Sequence, residues 1–311
     1  MLLRNLLRRL LEIMLVVFGV ITVVFVVMHI TPGDPTQMML PDGAPEKAYN
    51  QLRMAWDLDK PMYVQYLMFL QKAVRGDLGI SMWRGVPASQ VVLDRIPMTL
   101  QLTVAGILFA LVIAVPLGVL AATHQNSAID FVCRLLALFG QSMPSFWLGI
   151  MLMLVFAVRI RIFPVSGSGS LAHLVLPTVT LGTYLLALTM RITRSEMLNT
   201  LNEDYIRTAR AKGLSSRTVL YRHALKNALV PLITVVGLQF GTLVGGAVVT
   251  ETIFGWPGVG SLAVDSIRLR DYPVVQAIVF YVSILVVLTC LVTDMIYTYV
   301  DPRIRFGSQP S

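Results

Sequence analysis

Long uncharged stretches alternate with polar segments along almost the whole chain. An α-helix needs about 20 apolar residues to cross roughly 30 Å of hydrocarbon. Six stretches reach this length, and the pattern predicts membrane-spanning helices at about 10–30, 98–122, 135–158, 174–193, 229–252 and 274–298. Arg191 closes the fourth stretch and Asp294 interrupts the last, yet both remain long enough. The pattern therefore predicts an all-α polytopic membrane protein with six transmembrane helices.

Composition supports a membrane protein and narrows the possible functions. The 311 residues are 56% hydrophobic and only 14% charged, whereas an ordinary soluble domain carries about 25% charge. No Gly-x-x-x-x-Gly-Lys loop, Gly-x-Ser-x-Gly elbow or His-Glu-x-x-His helix occurs, and the four histidines and two cysteines lack metal-ligand spacing. We therefore expect no catalytic residues, no metal site, no cofactor in this chain and no nucleic-acid partner. Transport or scaffolding remains.

Positive charge predicts the orientation. Thirteen Lys and Arg lie at the N-terminus, around the fourth loop and after the last span, against four in the short loops on the other side. Cytoplasmic loops retain an excess of Lys and Arg. We therefore expect both termini and the loop at 194–228 in the cytoplasm. The domain prediction is a cytoplasmic N-terminus and first span at 1–30, an ordered external subdomain at 31–97, and a core of five spans at 98–311.

The most informative polar segment is 202–231, because its sequence predicts a capped helix pair. Asn202 is a good N-cap, and Glu203 and Asp204 suit the positive end of a helix dipole. Arg210 and Lys212 suit the last turn of this helix, and Gly213 suits the left-handed position after it. Ser215 or Ser216 can then cap a second helix. The segment therefore predicts a short helix, a tight turn and another helix.

The cations of this segment allow two interpretations. They can hold the loop at an anionic membrane surface, since each contributes about 1 kcal/mol near such lipids. However, Tyr205 and Ala209 share one face of the first helix, and Arg207 and Ala211 share another. Small residues allow close docking, so the capped pair favours a lever that fits into another protein.

Several segments carry a family resemblance. They are Tyr205-Ile-Arg-Thr-Ala-Arg-Ala-Lys-Gly213, His223-Ala-Leu-Lys-Asn-Ala-Leu-Val-Pro231, Thr31-Pro-Gly-Asp-Pro35, Gly76-Asp-Leu-Gly-Ile-Ser81, Gly140-Gln-Ser-Met-Pro-Ser145, Thr250-Glu-Thr-Ile-Phe-Gly-Trp-Pro-Gly-Val-Gly260, Arg270-Asp-Tyr-Pro273 and Asp301-Pro-Arg-Ile-Arg305. In their order along the chain, these segments resemble bacterial ATP-binding-cassette importer permeases of the dipeptide, oligopeptide, glutathione and nickel group. The broader superfamily has Glu-Ala-Ala where this chain has Arg207-Thr208-Ala209, which is similar to the peptide branch.

The resemblance implies a type I importer permease fold with an external insert after the first helix, in a bacterial inner membrane. It identifies 194–228 as a coupling loop that docks onto a separate ATPase. The coupling residues would be Glu203, Asp204, Tyr205, Arg207, Ala209, Arg210, Lys212, Gly213, His223 and Asn227. The implied partners are a second homologous permease, two ATPases that hold ATP and Mg, a periplasmic substrate-binding protein and membrane lipids.

The implied cargo is a dipeptide or short peptide, with glutathione, a nickel chelate or a longer oligopeptide as alternatives. A different class is an ion-driven secondary carrier, for which midplane carboxylates and an internal repeat are expected. Only Asp294 comes close to that pattern.

Polar and small residues within the spans give further candidates. Gly237, Gly241 and Gly245 form a stripe that allows close helix packing, or that lines a translocation path with Gln239 and Thr242. Glu251 is expected to meet a peptide terminus or to pair with Arg268 or Arg270. Asp294 must face protein rather than lipid, and Arg191 is its predicted partner.

Overall fold

The computed structural model describes residues 15, 18–30, 36, 40 and 44–300, with side chains described as far as residue 293. Its helices are α1 Phe18–Ile30, α2 Glu46–Ala55, α3 Met62–Val74, α4 Ala88–Leu93, α5 Ile96–Thr123, α6 Ala128–Ser142, α7 Ser145–Leu152, α8 Leu171–Leu201, α9 Asp204–Ala211, α10 Ser216–Thr218, α11 Leu225–Ala228, α12 Val230–Phe254, α13 Val259–Arg268 and α14 Tyr272–Val300. Two π-helical segments, Met153–Arg159 and Val219–Ala224, continue α7 and α10. Within these residues the β structure is one isolated bridge, between Ile80 and Pro87.

Four of the predicted spans are confirmed as helices long and apolar enough to cross a membrane. They are Ala88–Thr123, Leu171–Leu201, Val230–Phe254 and Tyr272–Thr293. The first predicted span is described only over Phe18–Ile30, and its remainder lies outside the described residues. So do the predicted cytoplasmic charges Arg4, Arg8, Arg9, Arg303 and Arg305.

The third predicted span, 135–158, is wrong as a single straight helix. Ala128–Ser142 and Ser145–Arg159 meet at an angle of 103°. Met143 between them is extended, with φ −77° and ψ 128°. The ring of Pro144 disfavours helical backbone at the preceding residue, and Pro144 has no N–H to continue the ladder. The bend therefore follows from Met143-Pro144.

The described residues form two compact units. The described residues of 1–98 and 258–287 make up the first. Its core contains Phe25, Phe69, Val92 and Val274. The buried carboxylate of Asp271 accepts hydrogen bonds from the Ser81 hydroxyl and from the Met82 N–H, the latter at 3.2 Å. Two segments nearly 200 residues apart in sequence, which both carry the family resemblance, are thus joined in this unit.

The second unit contains the described residues of 99–257 and 288–300. Glycines bring its helix backbones close together. A Cβ built on Gly182 of α8 would lie 2.7 Å from the carbonyl oxygen of Gly106 in α5. One built on Gly118 would lie 2.9 Å from the carbonyl oxygen of Met190. These contacts hold α5 against α8.

Gly182→Ala should destabilise the second unit. The new methyl group meets backbone, which cannot move aside as a side chain can, and overpacking costs about 1–3 kcal/mol. The purified protein should therefore melt at a lower temperature. Gly246→Ala is the matched control, because its Cβ would meet only the Leu181 side chain at an ordinary 3.7 Å. Equal melting temperatures for the two variants would contradict the close contact.

Candidate functional site

The short helix predicted in the polar segment exists as α9, but its cap is shifted by one residue. Glu203 is the N-cap, with φ −69° and ψ 147°. Asn202, the predicted N-cap, instead ends α8, and its side-chain amide donates to the Leu198 carbonyl at 3.0 Å. The prediction is wrong because α8 continues as a helix to Leu201 and takes Asn202 into its last turn. Only two residues, Asn202 and Glu203, therefore separate α8 from α9.

The turn after α9 is confirmed. Gly213 has a φ of +75°, a left-handed conformation that favours glycine. Its N–H donates to the Arg210 carbonyl at 3.0 Å, and the Leu214 N–H donates to the Ala209 carbonyl at 3.4 Å. These two bonds form a Schellman motif. The Thr218 N–H then donates to the Ser215 hydroxyl, so Ser215 caps the next helix as predicted.

One face of α9 is fixed inside the chain's own core. Ile206 and Ala209 are 0% and 7% exposed, and they pack in a cluster with residues of α5, α8 and the following helices: Val119, Ala122, Met197, Val219, Ala224 and Ala228. Ala209 was predicted on the docking face. That placement is wrong, because Ile206 and Ala209 are three residues apart and share the inner face of the helix.

The remainder of α9 is exposed and carries charges of both signs. The predicted coupling residues that are exposed here are Glu203, Asp204, Tyr205, Arg207, Arg210, Lys212 and Gly213. An ion pair joins Arg207 and Asp204 at 3.3 Å, with both side chains exposed, and such a pair contributes little to stability. These side chains are free to meet another surface.

Tyr205 is held in place on this exposed face. Its hydroxyl accepts a hydrogen bond from the Asn227 amide at 2.7 Å. The same amide lies 3.3 Å from the carbonyl oxygen of His223, one turn earlier. The predicted site residues Tyr205, His223 and Asn227 thus join α9 to the helical segment that leads into α12. The π-helical segment Val219–Ala224 lies within that connection, and π-helical turns often occur at functional sites.

A buried ion pair near this cluster was missed by the sequence analysis. Arg194 of α8 donates to both carboxylate oxygens of Asp130 of α6, at 2.6 and 2.8 Å. Asp130 is fully buried and also accepts from the Asn126 N–H at 3.0 Å. The Ser127 hydroxyl caps α6. The pattern Ser127-x-x-Asp130 is a capping-box signature. The helix cap could therefore be predicted from the sequence, whereas the pairing with Arg194 could not.

The predicted glycine stripe on α12 is divided between two environments. A Cβ on Gly237 would lie 2.0 Å from the Thr293 side chain, whereas one on Gly245 would meet nothing within 4 Å. Gly241 and Gln239 are partly buried, and Thr242 is exposed. The exposed face is therefore shifted from the predicted stripe, and it consists of Leu238, Thr242, Gly245, Val249 and Thr252. We call this face the α12 seam.

Glu251 does not lie on the α12 seam. Its side chain is 0% exposed, and its carboxylate accepts from the Thr99 hydroxyl at 2.7 Å. The expectation that this carboxylate meets a substrate terminus is therefore not supported by its position.

Of the predicted pair of Arg191 and Asp294, the structure describes only the Arg191 side chain. Arg191 donates to the side-chain oxygen of Gln141 at 3.1 Å. The side chain of Asp294 lies outside the described residues. The pair stays a prediction.

Comparisons with known proteins agree on one family. Residues 114–306 match the family model described as "Binding-protein-dependent transport system inner membrane component". Residues 2–103 match the model of the N-terminal part of such membrane components. Together the two models cover most of the chain.

Similar curated proteins are named as permeases. The chain is 41% identical to the dipeptide transport system permease protein DppB of Escherichia coli K12, over 97% of this chain and 99% of that protein. It is 41% identical to the oligopeptide transport system permease protein AppB of Bacillus subtilis 168, over 96% and 98%. It is 39% identical to the glutathione transport system permease protein GsiC of Escherichia coli K12, over 96% and 98%.

A solved structure has the same fold. In an inward-facing structure of the MetNI methionine ABC transporter, one chain superposes with a TM-score of 0.58 at 19% identity. The match covers 68% of this chain and 97% of that one. About two thirds of this chain thus shares its fold with that chain of the transporter.

Asp130→Asn should destabilise the protein strongly, because it leaves the Arg194 guanidinium without a charged partner in a largely buried site. Breaking such a pair costs about 3–5 kcal/mol. Asp204→Asn is the matched control, since its ion pair with Arg207 is exposed. Thermal unfolding of the purified protein should show a large shift for the first variant and almost none for the second. Similar shifts would show that burial does not strengthen the Asp130 pair.

Proposed function

Because the chain belongs to the family of binding-protein-dependent transport system inner membrane components, we propose that it is a permease subunit of an ATP-driven importer of dipeptides or other short peptides. It forms the membrane pathway together with a second homologous permease. ATP and Mg are bound and ATP is hydrolysed in two partner ATPases, and this chain contributes no catalytic residue.

The observation that carries this proposal is the two-faced construction of α9. Its inner face is buried through Ile206 and Ala209, and its outer face exposes Arg207, Arg210 and Lys212. A helix that only attached a loop to lipid would not need a buried inner face. A helix that transmits movement must be fixed on one side and accessible on the other.

The connections of α9 favour transmission to membrane helices. α8 is 31 residues long and leads into α9 through Asn202 and Glu203. On the other side, the Tyr205–Asn227 hydrogen bond links α9 to the segment that precedes α12. A displacement of α9 by a closing ATPase would therefore be carried to two long apolar helices.

The remaining partners follow from the same proposal. An external substrate-binding protein delivers cargo to the subdomain at 31–97, and the chain lies in the bacterial inner membrane with both termini in the cytoplasm. The six Lys and Arg residues within 202–231 support the cytoplasmic position of the coupling loop.

The α12 seam is the part of this chain that we propose faces the second permease and the translocation path. Its members follow at spacings of four, three, four and three residues, which is the spacing of a helix-packing seam. It contains Gly245, where no side chain blocks an approaching helix, and the hydroxyl groups of Thr242 and Thr252. A lipid-facing surface would not need these small and polar residues.

The cargo is proposed from the names of the relatives. A dipeptide is proposed because two similar relatives are named dipeptide permeases, while an oligopeptide permease matches at the same 41% identity. Oligopeptides and glutathione, which are named for other relatives, and a nickel chelate remain as alternative cargoes of the same mechanism. The binding protein, rather than this chain, is expected to select among them.

Uptake in proteoliposomes tests the function. The complete complex should import a radiolabelled dipeptide only with ATP, the ATPases and the binding protein present. Gly213→Val should abolish ATP-linked uptake, because a β-branched residue does not tolerate a φ of +75°. Gly213→Asn is the matched control, since asparagine accepts that conformation and the site has open space. It should retain most uptake.

Two results would contradict this mechanism. Uptake driven by a proton gradient alone, without any ATPase, would identify a secondary carrier. Full transport by Gly213→Val would show that the shape of the coupling loop is not used.

Cysteine labelling tests the α12 seam. In a Cys290→Ser background, Thr242→Cys and Val249→Cys should react with a membrane-permeant thiol reagent in the isolated chain. Their labelling should fall at least several-fold when the second permease is present. Ala247→Cys is the control, because Ala247 is 0% exposed and should react slowly in both states. Unchanged labelling of the seam on assembly would place the second permease elsewhere.

A further inference from the structure

A cavity of about 350 Å³ lies within the first unit, remote in sequence from the coupling loop. Its volume is within the range of small-molecule sites. The apolar part of its wall is formed by Phe25, Trp56, Met68, Phe69, Met82 and Tyr272. Several rings are fixed by mutual contact, since the ring centroids of Phe25 and Phe69 are 6.1 Å apart. The wall is therefore suited to an apolar or aromatic group.

One amide group in this wall has no hydrogen-bond partner among the described residues. Gln276 of α14 lines the cavity and is 7% exposed, and its side chain makes no hydrogen bond within the described part of the chain. Its amide atoms are not enclosed by protein, so they remain open to the cavity that the residue lines. A ligand with a carbonyl or N–H group would satisfy it.

The other amide and the imidazole of the cavity wall are already used. The ring nitrogens of His29 face the Phe25 carbonyl at 2.8 Å and the Gln65 side-chain oxygen at 3.0 Å. The Gln65 amide nitrogen donates to the Lys60 carbonyl at 2.8 Å. These groups hold the wall, so Gln276 is distinguished from them by its lack of a partner.

The rim of the cavity carries two charges of opposite sign. Lys72 and Asp77 both line it and are exposed, and the Asp77 N–H donates to the Lys72 carbonyl at 3.0 Å. The Lys72 ammonium has no ion-pair partner among the described residues. Asp57, the other carboxylate of the lining, is paired with Lys60 at 2.7 Å. The lining thus includes one exposed cation and one exposed anion, and the Asp77 carboxylate also accepts from the Gly79 N–H at 2.9 Å.

From these features we infer that the first unit contains a binding site for a zwitterion with an apolar side chain, either an amino acid or the end of a short peptide. The carboxylate meets Lys72 and the ammonium meets Asp77. The apolar side chain lies against the aromatic wall, and the peptide or carboxyl group reaches the Gln276 amide. This site goes beyond the proposed function, because it binds its ligand without ATP and outside the coupling loop and the α12 seam.

Equilibrium binding of radiolabelled alanyl-phenylalanine tests the site. The complete complex is used in lipid nanodiscs, without binding protein or ATP. We expect saturable binding that Gln276→Met and Lys72→Gln each weaken about threefold to tenfold, as the loss of one hydrogen bond or exposed charge contact predicts. The matched controls Gln71→Met and Lys47→Gln alter exposed residues of the same unit outside the cavity lining and should bind as wild type.

A second ligand tests the rim charges. N-acetyl-phenylalanine amide keeps the side chain and the amide groups but lacks both charges, so it should compete poorly. Lys72 is exposed, and therefore Lys72→Gln decides the outcome even if Gln276→Met proves unstable.

Two outcomes would overturn the site: absence of saturable binding, and affinity that both cavity variants retain. Either result with intact ATP-linked uptake would refute the site and leave the proposed function standing. Binding at the cavity without ATP-linked uptake would support the site and contradict the proposed function.

Discussion

The buried pair of Asp130 and Arg194 is the interaction on which the arrangement of the second unit most depends. It joins the start of α6 to the last part of α8. α8 is the helix that leads directly into α9. A buried carboxylate is tolerated only when its oxygens are satisfied, and here two guanidinium N–H groups and the Asn126 N–H satisfy them. The pair therefore anchors the last part of α8, which leads into α9.

The same unit combines close packing with one surface left open. Gly106 and Gly182 let α5 and α8 approach until backbone meets backbone, so these helices behave as one rigid element. Ile206 and Ala209 then attach α9 to that element through Val119 and Met197. A short helix with few residues thus gains a defined orientation from its neighbours, which it could not have alone, since isolated helices of this length are marginal in water.

Local features of this fold were predictable and long-range ones were not. Gly213 was identified, and the cap was narrowed to Ser215 or Ser216, because a left-handed turn and an N-cap depend on neighbouring residues alone. The shift from Asn202 to Glu203 and the inward position of Ala209 depend on how far α8 extends and what packs against α9, which the local pattern does not contain. Asp130 and Arg194 are 64 residues apart, so their pairing has no local signature, although the cap at Ser127 does. Pro144 indicates a bend after Met143, but the hydropathy pattern alone predicted one continuous span across it.

That bend has a consequence for the topology of the membrane protein. Val119 and Ala122, near the end of α5, pack in one cluster with Met197, near the end of α8, so both helices finish on the same side of the bilayer. α8 is long and apolar enough to cross the bilayer, and such a crossing places its first residue, Leu171, on the opposite side. Between Thr123 and Leu171 the chain has to change sides once, and an odd number of crossings is required there. The sharply bent pair of α6 and α7 is therefore a single crossing rather than a re-entrant hairpin. This follows from which side each neighbouring helix ends on, and helix length and hydropathy alone do not distinguish the two cases.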